Sequence, residues 1–235
     1  MLFSAYMWLV IGLMTLFFGV GVVACLPLTR HDRYYAWFQG NWGRMIVRLS
    51  RIPFTVEGLD RLDPARPYVF MANHQSYFDV FCLSAALPHA FKYVAKRELL
   101  FLPFFGQVLW ATRHVIVDRG RHAAAVAAMQ RAADRIRNGS SILVFPEGTR
   151  SRDGRIGPFK KGGFLLARAA GVEIVPVGIA GTGSVMPPGA FRFRRGAVRL
   201  TVGEPVRADS GESIEELIER VRAEIAGRSG QEFKL

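Results

Sequence analysis

VFMANHQSYFD, residues 69–79, changes character halfway along. An apolar run without polar alternation stops at Asn73-His74, and the helix-like SYFDVFCLSAAL follows from Ser76. A continuous apolar run of this length reads as a strand buried on both faces, the kind found in parallel sheets whose crossovers are helices. Ser76 with Asp79 three residues later matches a helix N-cap and its capping-box acid. The segment is one strand-turn-helix unit, and it points to an α/β protein.

The flanking sequence repeats the alternation. PFTVEG (53–58), FKYVAK (91–96), RHVIVD (113–118), SILVF (141–145), VEIVPVGI (172–179) and VRLTVGEPV (198–206) read as further strands. RELLFLPFFGQVLW (97–110) and HAAAVAAMQRAADRIRNG (122–139) read as helices, the second stopped by Gly139. A last helix opens on the S-x-x-E pair Ser213 and Glu216, with Ile214, Leu217, Val221 and Ile225 on one face. Residues 53–235 are thus expected to form an α/β domain with a mostly parallel sheet flanked by helices.

The N-terminal 52 residues are of another kind. Residues 1–28 contain no charged side chain and include WLVIGLMTLFFGVGVVACLPL (8–28), long enough at 1.5 Å per residue to cross or deeply enter a hydrocarbon core of about 30 Å. A membrane-embedded helix over 1–30 is expected. Arg30 and Arg33 follow it and nothing basic precedes it, which puts the remainder of the chain on the cytoplasmic side, at the inner membrane in a bacterium. The missing basic n-region argues against a cleaved signal, although VVAC (22–25) has the outline of a lipoprotein box. Over 31–52, Tyr35, Phe38, Trp42, Met45, Leu49 and Ile52 make an apolar helical stripe, with Arg44, Arg48 and Arg51 on another face. Two outcomes stand for this amphipathic helix: it lies at the lipid interface, or it packs its stripe on the protein's own core.

The chain carries a formal charge of +12 and a pI near 10.5, which suits an anionic partner. Next to a membrane segment, lipid ranks above nucleic acid, and FRFRRG (191–196) reads as a docking patch for lipid or a carrier protein. Cys25 and Cys82, in unlike contexts, suggest no disulfide framework. There is no G-x-S-x-G, and the histidines show no metal-ligand spacing.

Two segments carry candidate chemistry. A histidine in the turn before a helix is able to fold back on an acid in its first turn, so Asp79 is placed to hold the His74 ring; alternatively His74 only ends a strand and Asp79 only caps a helix. With five histidines in the chain the spacing alone is a weak motif. LVFPEGTRSRDG (143–154) sets Glu147, Gly148, Thr149 and Arg150 at the C-terminal end of a strand, where open α/β sheets bind ligands, and Arg150 suits a phosphate or carboxylate. The same residues also suit a solvated turn.

Taken in order, NHQSYFD (73–79), RHVIVDR (113–119), FPEGTR (145–150) and IVPVGIAG (174–181) resemble the blocks of the glycerolipid acyltransferases, and AKREL (95–99) and PFKKGG (158–163) look familial too. The resemblance covers roughly residues 53–206, with one departure: Arg113 stands where the family's second block opens with glycine. It implies transfer of a fatty acyl group from a thioester of coenzyme A or acyl-carrier protein to a lyso-lipid hydroxyl. The acceptor it implies first is lysophosphatidic acid, giving phosphatidic acid, with another lysophospholipid or lyso-ornithine lipid as the alternative. In that scheme His74 is the general base and Asp79 orients it, while amides near Gly148 or at Ser76 serve the oxyanion. Arg119, Arg150 and Lys160 hold the acceptor's phosphate, Glu147 and Thr149 position its glycerol portion, and Gly148 counts with them among the substrate-binding residues. The expected partners are membrane lipids, the lyso-lipid and the acyl thioester co-substrate, with no cofactor, no metal and no nucleic acid.

Overall fold

The computed structural model describes residues 1–25, 32–102, 104–118, 120, 122–209 and 211–234, without the side chains of residues 33, 122, 123, 125 and 126. Seven strands form one sheet: β1 (Phe54–Glu57), β2 (Val69–Ala72), β3 (Phe91–Lys96), β4 (Val115–Val117), β5 (Ser141–Val144), β6 (Ile174–Ala180) and β7 (Val198–Val202), in the order β1-β7-β6-β2-β5-β3-β4. Every neighbouring pair is parallel except β6 with β7. The helices are α1 (Leu2–Cys25), α2 (Asp32–Ser50), α3 (Phe78–Ala86), α4 (Phe105–Ala111), α5 (His122–Arg137), α6 (Gly162–Ala170), α7 (Thr182–Val185) and α8 (Ile214–Ser229).

The apolar run that opened the sequence is β2, the strand between β5 and β6, and its pleat explains why it carries no polar alternation. Phe70 and Ala72 join the hydrophobic cluster under α2 and α3, whereas Val69 and Met71 join the cluster under α5, α6 and α8. Both faces are dry, so every position must be apolar. Burying side chains of this size contributes roughly 1.5–3 kcal/mol each.

Two local departures from the sequence expectation, and one strand that keeps to it despite a proline, have physical causes. Helix α3 begins at Phe78 rather than Ser76, because the Ser76 amide is drawn to Asp79 and its hydroxyl accepts from the Phe78 amide at 3.0 Å. Helix α6, unassigned from sequence, supplies part of the crossover from β5 to β6, and it opens with Gly162-Gly163, residues of poor helix propensity. Strand β6 accommodates Pro176 in the sheet interior because the β6–β7 ladder slips by one residue between the Ile174–Val206 bridge and the Val177–Val202 pair. The missing N–H falls at that bulge, and the Pro176 carbonyl accepts from Gly203 at 2.8 Å.

Of the two outcomes for α2, the structure shows packing on the protein's own core. Its buried face is Tyr35, Ile46, Val47 and Ser50, and Trp42 meets Phe81 of α3 edge-on at 5.0 Å. The expected stripe is therefore out of register at Met45, which is exposed with Trp37, Arg44 and Arg48 while Ile46 is buried. Helix α1 lies along the same side of the domain. Near its start Trp8 donates to the Phe191 carbonyl at 2.8 Å and Phe193 donates to Ser4 Oγ at 3.0 Å; midway Trp42 donates to Thr15 at 3.1 Å; further on α1 packs against α4. Met7, Val10, Phe18 and Val22 face inward, while Leu9, Leu13, Leu16, Phe17 and Val20 stand exposed on the other side.

The residue standing in place of the family's glycine adopts a glycine's conformation. Arg113 follows α4 with φ 57°, donating to the Trp110 carbonyl at 3.1 Å while His114 donates to that of Leu109 at 3.1 Å, a left-handed helix stop. An L side chain there is strained, and the Arg113 side chain is exposed. Arg113→Gly is accordingly expected to stabilise the fold by about 0.5–1 kcal/mol, seen as a rise of about 2 °C in Tm.

Candidate active site

Asn73 ends β2 by continuing its ladder with a side chain. Its Nδ2 donates to the Ile179 carbonyl and its Oδ1 accepts from the Ile179 amide, both at 2.8 Å, so β6 is held where the β2 backbone turns away. The turn that follows wraps around one carboxylate oxygen. Asp79 Oδ2 accepts from His74 Nδ1 and from the amides of Gln75 and Ser76, each at 2.8 Å. The carboxylate is wholly buried, and Oδ1 has no partner among the described residues. An ionised carboxylate only accepts, so Nδ1 carries the proton and Nε2 is left as the basic nitrogen.

Phe145 fixes the remaining freedom of the ring. It stacks on His74 with centroids 3.8 Å apart and planes within 13°. Phe145 begins the F-P-E-G turn after β5, with Pro146 in the second place, Gly148 at φ 75° in the fourth, and the Gly148 amide donating to the Phe145 carbonyl at 2.9 Å. Glu147, pointing back from this turn, accepts from the His74 amide at 3.1 Å and the Gly157 amide at 3.0 Å. Burial raises its pKa, and the two amides offset that only in part. The Ser151 amide donates to the His74 carbonyl at 2.7 Å, so the loops after β2 and β5 are tied on both sides of the histidine.

His74 opens on a cavity of about 660 Å3 whose lining includes Lys96, Gly148, Thr149, Arg150 and Arg152. The Arg150 guanidinium rests on the Tyr77 ring, 3.7 Å from its centroid, and neither Arg150, Arg152 nor Lys96 makes an ion pair among the described residues. Lys160 stands against the same turn from its other side. Its Nζ lies 3.2 Å from where a Cβ on Gly148 would be, and it lines a neighbouring, mostly apolar groove of about 760 Å3 on α5 and α6 that shares Val94, Ala95, Val144, Phe145 and Gly148 with the first cavity. Arg119 lies outside the described residues, as do Arg30 and the Arg33 side chain.

One expectation narrows and one residue gains a definite contact. Of the amides near Gly148 and at Ser76 considered for the oxyanion, those of Gly148 and Ser76 themselves already donate, to Phe145 and to Asp79, which leaves the neighbouring Thr149 amide. Glu147 spends an oxygen on each of two backbone amides, which makes it a strut between loops. Sequence reasoning also passed over Asn73, Tyr77 and Lys96. The first two stand within or beside the N-H-x-x-x-x-D block, and Lys96 within AKREL, so the signal was present but its partners were not.

A strand-end histidine clamped by a buried aspartate, facing a strand-end arginine in an open α/β sheet, agrees with the family comparison: the Acyltransferase family model matches residues 53–180. The chain belongs to the acyltransferase family. Among its relatives is the 1-acyl-sn-glycerol-3-phosphate acyltransferase of Pseudomonas aeruginosa, 31% identical over 94% of this chain and 83% of that protein. Another is the chloroplastic 1-acyl-sn-glycerol-3-phosphate acyltransferase BAT2 of Brassica napus, 32% identical over 87% of this chain. The chain spans 62% of that protein's length and 55% of its Arabidopsis thaliana counterpart, LPAT1. The crystal structure of the 1-acyl-sn-glycerophosphate acyltransferase PlsC from Thermotoga maritima superposes with a TM-score of 0.83 at 29% identity, covering 95% of this chain and 92% of that one.

Proposed function

We propose that the protein transfers a fatty acyl group from an acyl thioester, of coenzyme A or acyl-carrier protein, to the free hydroxyl of lysophosphatidic acid, forming phosphatidic acid. The observation that carries this reading is His74 Nε2, left basic by the Asp79 contact and facing a cavity lined by Lys96, Arg150 and Arg152, which make no ion pair among the described residues. The names of the relatives support the choice of acceptor.

A thioester is already activated, so the protein's part is to bring the hydroxyl to it and to take the hydroxyl proton. His74 Nε2 accepts that proton as the oxygen attacks the thioester carbonyl, and the buried Asp79 stabilises the imidazolium that results. Collapse of the tetrahedral intermediate expels the thiolate, which recovers the proton. The amide of Thr149 has no acceptor among the described residues and is assigned to the oxyanion. Arg150, with Lys96 and Arg152 around the same cavity, is assigned to the acceptor's phosphate, and Glu147 to holding the loops.

If Arg150 binds that phosphate, Arg150→Ala raises KM for lysophosphatidic acid by about tenfold to a hundredfold, the worth of a charge-assisted contact, and leaves KM for the thioester unchanged. Steady-state kinetics with each substrate varied in turn checks this. The reaction itself is tested by free-thiol release from a long-chain acyl-coenzyme A by detergent-purified protein. Release that depends on lysophosphatidic acid supports the assignment, and no release with either coenzyme A or carrier-protein donors overturns it.

The arrangement of α1 supports membrane association of a particular kind. A helix without charge that is apolar on its exposed side as well as its packed side needs lipid on the exposed one. Because α1 touches the domain near its start, midway and toward its end, we read it as lying in the plane of one leaflet. Such a helix carries nothing across, and the catalytic domain stays on the cytoplasmic face.

A further inference from the structure

The segment after α8 lies about fifty residues beyond the end of the family match at residue 180, yet it reaches the residue beside His74. Its route is built into β6. Gly178 lets the end of α8 approach so closely that a Cβ there would stand 2.4 Å from Arg228 Cβ and 2.6 Å from the Ser229 amide nitrogen. Helix α8 then stops at Gly230 in a left-handed turn, and the chain reverses over the loop that follows F-P-E-G-T-R.

Gln231 makes the central contacts. Its Oε1 accepts from Asn73 Nδ2 at 2.6 Å, and its Nε2 donates to the Gly154 carbonyl at 2.6 Å. The next residues continue as a strap. The Ile156 amide donates to the Glu232 carbonyl at 2.8 Å and the Lys234 amide to the Ile156 carbonyl at 2.9 Å, while Arg222 lies over the Phe233 ring and also donates to the Ile156 carbonyl. Ile156 is fully buried, and Gly157 beside it donates to Glu147, whose other oxygen holds the His74 amide.

The geometry points to the C-terminal strap, through Gln231, as a positioning element of the catalytic centre. It ties Asn73 to the loop carrying Arg150 and Ser151, and so fixes the dyad and the phosphate-side arginine relative to each other. Gln231 touches no reacting atom and acts through Asn73, Gly154 and the Glu147 strut. The catalytic half of this proposal rests on the acyl-transfer reading; the structural half does not.

The test compares full-length wild type with Gln231→Ala and Gln231→Glu by amide hydrogen exchange and by steady-state kinetics. In Gln231→Ala, exchange at Ser151 and Gly157 should quicken about tenfold, the loss of one hydrogen bond's protection, with α8 and β6 unchanged. Its kcat should fall about tenfold while KM for the acyl thioester holds, since loosened positioning costs turnover rather than donor binding. Gln231→Glu keeps the acceptor for Asn73 and loses the donor to Gly154, so its kcat should lie between the two. Unchanged exchange at Ser151 and Gly157 would overturn the strap, as would a fall in kcat matched by lost protection throughout α8. Wild type that releases no thiol would instead overturn the assigned reaction, while the exchange data still report on the strap.

Discussion

Replacing His74 by alanine is expected to lower kcat by about a thousandfold or more with little change in Tm. On the proposed reading the loss is the ordinary worth of a general base together with its aligned geometry. The His74 ring is partly exposed to the cavity, and its only polar side-chain partner among the described residues is Asp79, so its removal leaves a space open to water. The Asp79 carboxylate keeps the Gln75 and Ser76 amides, and the turn survives. Thiol release by the variant, measured beside its melting curve, checks both halves. A variant retaining a tenth of wild-type kcat would remove His74 from the role of base.

Asp79 should behave differently, because two properties depend on one buried atom. In Asp79→Asn a single atom still faces His74 Nδ1 and the Gln75 and Ser76 amides together, as Asp79 Oδ2 does. With the amide oxygen in that place all three donors keep their acceptor and the amide group takes the unpartnered place of Oδ1, so the fold is held, but the negative charge that stabilises the imidazolium is gone. A fall in kcat of about a thousandfold is expected from the lost charge. Asp79→Ala removes the acceptor of three donors in a fully buried place, and at about 1–3 kcal/mol for each unsatisfied group the fold itself should suffer, with Tm dropping by several degrees. Thermal unfolding separates the two variants: Asn inactive and near normal, Ala inactive and destabilised. Equal Tm values for both would mean that the turn does not depend on the carboxylate.

The sheet was legible because burial on two faces leaves a plain trace, as in Val69–Ala72, and because Ser213 with Glu216 forms the capping box its spacing announced. Register on α2 was less legible. Met45 and Ile46 are both apolar, and only the approach of α3 decides which of them is buried. Helix α6 was hidden by its opening glycines. At the site, His74 and Asp79 were readable once a second block stood beside them, but the commitments of backbone amides were passed over. The F-P-E-G turn claims the Gly148 amide by a rule that proline second and glycine fourth signal, and the Ser76 amide is claimed by Asp79 as the capping-box spacing announces, so both commitments were written locally and went unread. The Asn73–Gln231 pair spans 158 positions, and no local pattern records a contact of that range.

On the proposed reading helix α1, apolar on both sides and fastened along its length, sets the depth at which the dyad meets its lipid. On that reading the protein never has to lift a lyso-lipid out of the bilayer; it meets its acceptor by lateral diffusion. The concentration that governs turnover is then the mole fraction of acceptor in the leaflet. Diluting the acceptor among inert lipids slows such an enzyme, whereas diluting the vesicles with the protein already aboard does not, and the product is left in the same sheet of lipid in which the next reaction finds it.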